Sequence, residues 1–180
     1  MTNAVLDQVL DDLTAEGDAL EAAVAALDEE GWRTPVPAEG WDIATTIVHL
    51  AWTDECAIAA GTDKEAWDAL VLRAIADPQG FVDAEAFEGA KAPAGEILAR
   101  WRAGRPALVA MLRNYPEGEK LPWYGPPMSP ASMGTARFME TWAHALDVYD
   151  ALISTGSIAQ RPEPTDRIRH IAHLGVRTRN

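Results

Sequence analysis

The chain of 180 residues contains a single cysteine, Cys56, and no long hydrophobic run. One cysteine excludes an internal disulfide and any Cys-x-x-Cys metal motif, so a metal site would have to use histidine and carboxylate ligands. No segment approaches the roughly 20 consecutive apolar residues that a membrane span requires. The N-terminus also lacks the basic and apolar regions of a signal peptide. These absences predict a cytoplasmic protein with no membrane-embedded segment.

Positive charge is scarce as well. Lys and Arg number 15 against 28 Asp and Glu, which gives a formal net charge of −13 at pH 7. Binding to nucleic acid or to an anionic membrane surface depends on clustered positive charge. The composition therefore predicts that neither is a partner. The length and an apolar content of 48% are typical of one globular domain with a full hydrophobic core.

Helical periodicity dominates what the chain does contain. Apolar residues recur at spacings of three and four from Leu6 to Leu27, which predicts a first helix over about residues 2–29, ended by Gly31. Further helices are predicted over about residues 42–60, 62–76, 94–114, 130–154 and 166–176. The segment 77–93 is predicted to be irregular. Four long helices with short extra ones indicate an all-α four-helix bundle.

Several residues mark the expected helix ends. Asp42 and Ser129 are predicted N-caps, and Pro130 suits the first helical position after Ser129. Gly156 is the predicted stop of the last long helix. Pro106, inside the predicted helix over 94–114, should either kink that helix or mark its true beginning.

Three residues could supply a metal site. Glu140 and His144 are four apart on one predicted helix and therefore share a face. His49 would approach from a second helix, and two imidazoles with one carboxylate would leave an open position on a divalent ion, as in catalytic zinc sites. Residue spacing alone also fits a hydrogen-bonded core histidine and a surface Glu–His contact, so both alternatives remain open at this point.

Two segments resemble a known family. They are Gly40-Trp-Asp-Ile-Ala-Thr-Thr-Ile-Val-His49 and Phe138-Met-Glu140-Thr-Trp-Ala-His144-Ala-Leu-Asp147. In this order they are similar to the DinB-like superfamily, and within it to the N-terminal metal-binding domain of mycothiol-dependent maleylpyruvate isomerases and their actinobacterial metal-binding relatives. The resemblance covers about residues 5–155. It implies an up-down-down-up bundle with one divalent metal, usually zinc with nickel, manganese or iron as alternatives, on His49, Glu140 and His144.

The resemblance also implies a chemistry. A low-molecular-weight thiol such as mycothiol would bind at the open metal position as a thiolate and attack an electrophilic small-molecule substrate, giving transfer or isomerisation. The alternative is a non-catalytic metal-binding or sensing module. The sequence leaves a homodimer open and does not identify the substrate.

Other residues near these motifs are candidates for the surroundings of the site. Arg137 could bind a substrate carboxylate, or pair with Glu140 or a surface acid. Asp147 could orient a ligand imidazole, although a solvated helix position explains it equally simply. Aromatic residues could form the wall of a substrate pocket or belong to the core: Trp41, Trp52, Trp123 and Tyr124. Cys56 could act as a thiol or as an extra metal ligand, but we interpret it as a small buried hydrophobic residue.

The C-terminal residues 161–180 are predicted to form a helix or linker towards a second domain that this chain does not contain, with the bundle occupying residues 1–160. The chain would then be a fragment of a two-domain protein or a single-domain member of the family. The absence of the second domain makes maleylpyruvate itself a doubtful substrate. His170 and His173 are predicted to lie on a solvated helix end.

Overall fold

The computed structural model describes residues 4–172 of the chain. Its helices are, in chain order, α1 Ala4–Val24, α2 Glu29–Trp32, α3 Ile43–Thr62, α4 Lys64–Ala76, α5 Phe81–Gly89, α6 Ala94–Arg113 and α7 Pro130–Ser154. A 3-10 turn, Asp166–Ile168, follows near the end. Within these residues only two isolated antiparallel bridges occur, between Pro35 and Asp42 and between Leu121 and Met128. The all-α prediction is confirmed.

The helix ends follow local hydrogen bonding. The Asp42 carboxylate accepts hydrogen bonds from the backbone N–H and the hydroxyl of Thr45, both at 2.7 Å, and caps α3 as predicted. Ser129 caps α7 in the same way. Gly156 adopts a φ of 73°, and its N–H donates to the carbonyl of Ile153. This left-handed residue ends α7 in a Schellman arrangement.

The first and third long helices run in opposite directions. Arg113, near the end of α6, contacts Asp7 near the start of α1. Arg102, about three turns earlier on α6, contacts Glu21 near the end of α1. Later residues of α1 thus contact earlier residues of α6, so the two helices are antiparallel.

The second long helix, α3, runs in the same direction as α6. Glu55 pairs with Arg100, and Gly61 lies so close to Met111 that a Cβ on the glycine would be 2.6 Å from the sulfur. Later residues of α3 thus meet later residues of α6. The two helices are parallel, and α3 is antiparallel to α1.

The last helix, α7, is antiparallel to α3. His49 contacts Glu140, whereas Asp54, five residues later on α3, contacts Arg137, three residues earlier on α7. With α1 up, α3 and α6 down and α7 up, the bundle has the predicted up-down-down-up connectivity.

A polar layer divides the interior of the bundle. Two clusters of buried apolar side chains occupy its two ends, one including Leu20, Ile47, Trp101 and Val148, the other Leu10, Ala57, Leu108 and Phe138. Between them the helices contribute small or polar residues: Gly17, Asp54, Arg105, Arg137 and Thr141. Arg105 crosses directly over Gly17, where a Cβ would lie 2.7 Å from the guanidinium Nη1. A side chain at position 17 would displace this arginine.

Two predictions about the helices are wrong, and one of two alternatives for Pro106 is excluded. The first helix ends at Val24, and Gly31 lies inside the short helix α2 because the Asp28 carboxylate accepts a hydrogen bond from the Gly31 N–H at 2.8 Å and begins a new turn. The segment 77–93 contains α5. Finally, α6 continues through Pro106, so this proline is not a helix start. Buried Trp101 and Leu108 hold the helix on both sides of it.

The C-terminal segment packs against the bundle. After the 3-10 turn the chain becomes helical at residues 169–172, and the rest of the helix predicted over 166–176, with His173, lies outside the described residues. His170 is buried, and its Nε2 lies 2.7 Å from the Asp12 carboxylate of α1. The predicted solvated position is therefore wrong for His170, because Asp12 and the Phe138 ring enclose it. The division of the chain at residue 160 stays a prediction.

The helices described between residues 4 and 172 include none long and apolar enough to cross a membrane.

The cap of α3 gives a first testable prediction. Replacing Asp42 by Ala removes two hydrogen bonds at the start of the helix that carries His49, and we expect the free energy of unfolding to fall by about 1–2 kcal/mol. Urea unfolding followed by circular dichroism measures this loss. Glu39→Ala, an exposed change in the same connector, is the control and should leave the midpoint nearly unchanged. Equal effects of the two substitutions would contradict the capping role.

Candidate metal centre

Two helices bring His49, Glu140 and His144 together. The Nε2 atom of His49 lies 3.3 Å from Oε2 of Glu140, and the Nε2 atom of His144 lies 3.4 Å from the same oxygen. Each of the three residues offers one ligand atom, and these three atoms all lie within 4.8 Å of one another. Among the described residues, His49, Glu140 and His144 are the group of His, Cys, Asp or Glu side chains that is compact enough to hold an ion. The centroids of the two imidazole rings are 4.8 Å apart, and the ring planes are inclined at 68° to each other rather than stacked.

These distances fit a zinc-like ion. In a tetrahedral site with ligand distances of about 2.0–2.1 Å, two ligand atoms are separated by roughly 3.3 Å. Both measured contacts to Glu140 match that separation. The donor set of two nitrogens and one oxygen suits zinc and similar transition metals better than magnesium or calcium, which prefer oxygen ligands throughout.

The protonation states of the group also favour cation binding. Burial lowers the pKa of His49, and this effect exceeds the opposing attraction of Glu140. A lowered pKa keeps the imidazole neutral near pH 7, with a lone pair available. Contacts with His144 and then with His49 hold the pKa of Glu140 well below its ordinary value, so this carboxyl is ionised. His49 therefore offers a neutral nitrogen donor beside the negative charge of Glu140.

Trp41 and Asp147 lie beside the ligands. The Trp41 ring stacks on His144 with a centroid distance of 6.0 Å and planes 9° apart, and it meets His49 edge-on at 5.3 Å. It thus covers one side of both imidazoles. Asp147 is 3.8 Å from Nδ1 of His144, which is within ion-pair range but too long for a hydrogen bond. Its role in orienting the imidazole stays a prediction.

A cleft of about 930 Å³ opens beside His49 and Glu140. Trp52, Trp123 and Arg137, the three predicted substrate contacts, all line it, and so does Tyr124. The structure thus brings these residues to one cavity, while their contact with a substrate stays a prediction. Cys56 is buried beneath the cleft wall and is not among the grouped ligands. Burial raises the pKa of its thiol to about 11, which leaves it protonated near pH 7.

Arg137 has a partner that the sequence analysis did not identify. It does not pair with Glu140 or a surface acid; its Nε donates to Oδ1 of Asp54 at 3.1 Å, and the two residues are 3% and 6% exposed. A signal for the burial of Asp54 was present, because Leu50 and Ala57, four residues before and three after it, mark the apolar face of α3. Burial raises the pKa of Asp54 to about 6 despite the opposing effect of Arg137.

Comparison with known proteins gives one family. A family profile described as the mycothiol maleylpyruvate isomerase N-terminal domain matches residues 13–149. Two uncharacterized proteins, from two strains of Mycobacterium tuberculosis, are each 53% identical over 169 residues, which is 94% of this chain and 63% of their own length. The chain therefore spans less than two thirds of the curated relatives that it matches.

Solved structures agree in fold. The crystal structure of the mycothiol-dependent maleylpyruvate isomerase and that of a histidine-to-alanine mutant each align with a TM-score of 0.63, at 14% and 16% sequence identity. Each alignment covers 79% of this chain and 60% of the other. At such low identity the likeness concerns the bundle architecture alone.

The buried pair predicts a distinctive pH dependence. Burial raises the pKa of Asp54 to about 6 in the folded chain from an ordinary value of 3.8, so between these two pH values the folded state binds a proton that the unfolded state does not. Protonation of Asp54 in the folded state therefore stabilises the fold fully below about pH 4. This stabilisation is lost as the pH rises through 6. From pH 5 to pH 7.5 we expect the stability of the wild type relative to Asp54→Asn to fall by about 1 kcal/mol.

Urea unfolding at the two pH values, with a chelator present, measures this difference. Glu55→Gln, which changes the neighbouring half-exposed acid of α3, is the control and should show no comparable step near pH 6. A difference between wild type and Asp54→Asn that stays constant or grows with pH would contradict the raised pKa.

Proposed function

Because this chain belongs to the family of the mycothiol maleylpyruvate isomerase N-terminal domain, we propose that it is a metal-dependent thiol transferase or isomerase. His49, Glu140 and His144 would hold one divalent ion, most simply zinc, and mycothiol or a similar small thiol would be the co-substrate. The observation that carries this proposal is the convergence of two imidazole nitrogens on one carboxylate oxygen at 3.3 and 3.4 Å. The family resemblance seen in the sequence is confirmed by the match to the profile.

Each residue has a defined task in this proposal. An ion held by three protein ligands keeps an open position, where it would favour the thiolate form of a bound thiol at neutral pH. Glu140 supplies the negative charge that offsets part of the charge of the ion, and His49 and His144 remain neutral donors. None of the three is a general base. Trp41 covers the imidazoles on one side and limits the access of water.

The proposed reaction conserves atoms and charge. The thiol loses its proton to solvent, and its sulfur forms a bond with an electrophilic carbon of a conjugated carbonyl compound. The π-electron pair moves to the adjacent carbon, which takes up a proton from solvent, and the adduct is the transfer product. For isomerisation, the adduct rotates about the carbon–carbon bond that was the double bond. It then loses the added proton and expels the thiolate, which restores the double bond in the other geometry.

The second candidate is a non-catalytic metal-binding module. It is supported by the position of the ligands, because His49 on α3 and the pair on α7 would allow the ion to link the two helices. The relatives are longer than this chain. That the residues present here suffice for activity is therefore part of the proposal, and the fold assignment does not depend on it. Both candidates require the same ion, and they differ in whether a thiol reaches it.

The ligand set is tested by metal content. We expect the purified protein, after zinc loading and desalting, to contain one zinc per chain by elemental analysis, and His49→Ala and Glu140→Gln to retain less than about a tenth of it. His170→Gln is the matched control, since His170 pairs with Asp12 on α1 and lies outside the ligand group. Stoichiometric zinc in His49→Ala would show that the proposed ligands are wrong.

Access of a thiol to the ion separates the two candidates. In the cobalt-substituted protein we expect added mycothiol to produce an intense sulfur-to-cobalt absorption band, because a thiolate would enter the open coordination position. Mycothiol with its sulfur methylated cannot form a thiolate and is the control. If cobalt binds stoichiometrically but mycothiol leaves the spectrum unchanged, the enzymatic proposal fails and the non-catalytic module is retained.

A further inference from the structure

We infer that the cleft beside the metal centre accepts a bulky, flat apolar group of the electrophile, such as an aromatic ring system, rather than a small dicarboxylate. The inference deepens the proposed function and rests on it for the identification of the ligand as a substrate. It is carried by the walls of the cleft, by their charge and by the size of the cavity.

Interlocked aromatic rings form one wall. Phe81 of α5 meets the Trp52 ring of α3 edge-on at 5.2 Å and lies 6.2 Å from the Tyr124 ring. Trp123 is supported from behind by Trp67, with the two rings stacked at 5.7 Å and 14°. Because each ring is held by another, the wall is a rigid set of flat surfaces. Such surfaces stack on planar ligand groups at little entropic cost.

Aliphatic side chains of α4 and α5 form the facing part of the cleft, including Val71, Ile75 and Val82. Ile75 is 68% exposed and Val82 is 40% exposed, so the cleft keeps large apolar residues in contact with water at its mouth. A ligand with an apolar body would cover these side chains and gain the free energy of removing their surface from water.

The charge of the lining argues against a dicarboxylate. Arg137 is the one cationic side chain among the described residues that line the cleft. It is 3% exposed and already paired with Asp54, so its charge is largely compensated inside the protein. At the metal end, Glu140 and one bound thiolate would together offset the two positive charges of a divalent ion. Two carboxylates would have to give up their hydration without an uncompensated cation on the protein to replace it.

The size of the cavity agrees with this reasoning. At about 930 Å³ the cleft lies near the upper end of the range, roughly 300–1,000 Å³, that holds drug-sized ligands. A four-carbon dicarboxylate would fill a small part of it. An aromatic ring with a short side chain would fill more of it.

The inference is tested by binding, without any reaction. Benzylacetone, a neutral aromatic ketone with no reactive double bond, and succinate, a small dicarboxylate, are titrated by calorimetry into the zinc-loaded full chain with mycothiol present, so that the open metal position is not free for a carboxylate. Quenching of tryptophan fluorescence provides a second readout. We expect benzylacetone to bind at least tenfold more tightly than succinate. Equal or tighter binding of succinate, or no binding of benzylacetone, would overturn the inference.

Two matched variants locate the binding site. Ile75 and Leu72 are both on α4 and are 68% and 67% exposed, but only Ile75 lines the cleft. We expect Ile75→Asp to weaken benzylacetone binding roughly fivefold to tenfold and Leu72→Asp to change it less than twofold. Because both side chains are exposed, neither change should unfold the protein. Equal effects of the two substitutions would place the ligand elsewhere and contradict the inference.

The two proposals fail in different ways. If mycothiol changes the cobalt spectrum but succinate binds better than benzylacetone, the thiol chemistry stands and the inferred substrate class is wrong. If benzylacetone binds in the cleft but mycothiol never reaches the cobalt, the cleft is an apolar binding site and the proposed reaction is wrong.

Discussion

A buried ion pair between α3 and α7 sets the alignment on which the rest of the structure depends. Arg137 and Asp54 meet at 3.1 Å, and both are nearly inaccessible to water. Sliding one helix by a single turn, about 5.4 Å, would separate two charges in the interior, each with a desolvation penalty of several kcal/mol. The register that keeps this pair together also places His49 opposite Glu140. The geometry of the candidate metal centre thus follows from a contact that contains none of its ligands.

The same pair contributes more to alignment than to stability. Burial raises the pKa of Asp54 to about 6, which means that desolvation outweighs the attraction of Arg137 for the ionised form. Apolar residues of similar size would often be as stable at such a position. The bundle nevertheless contains a polar layer at this level, and Nη2 of Arg137 is buried there without a hydrogen-bond partner in the described structure. An interior of uniform leucine and alanine would not distinguish one helix register from the next.

The long helices and their caps were predictable because their causes are local. Asp42, Ser129 and Gly156 act within four residues of their own positions, and the apolar periods of α1, α6 and α7 are visible in the sequence. Glu140 and His144 share a helix turn for the same reason. Asp54 was missed, and His170 was wrongly assigned to solvent, because their partners Arg137 and Asp12 lie 83 and 158 residues away. No local pattern specifies which distant charge a side chain will meet.

The candidate metal ligands and the wall of the cleft lie on different elements of the fold, and this division bears on function. The candidate ligands lie on two long helices, α3 and α7, whereas much of the cleft wall comes from α4, α5 and the proline-rich loop closed by the bridge between Leu121 and Met128. The helices α4 and α5 contact mainly α3, so we expect substitutions on their cleft side to leave the register of α3 and α7 unchanged. In the proposed function, the type of chemistry and the choice of substrate would therefore depend on separable parts of the fold. A chain of this kind would keep the proposed metal ligands and change the proposed electrophile by altering the aromatic and aliphatic residues of this wall alone.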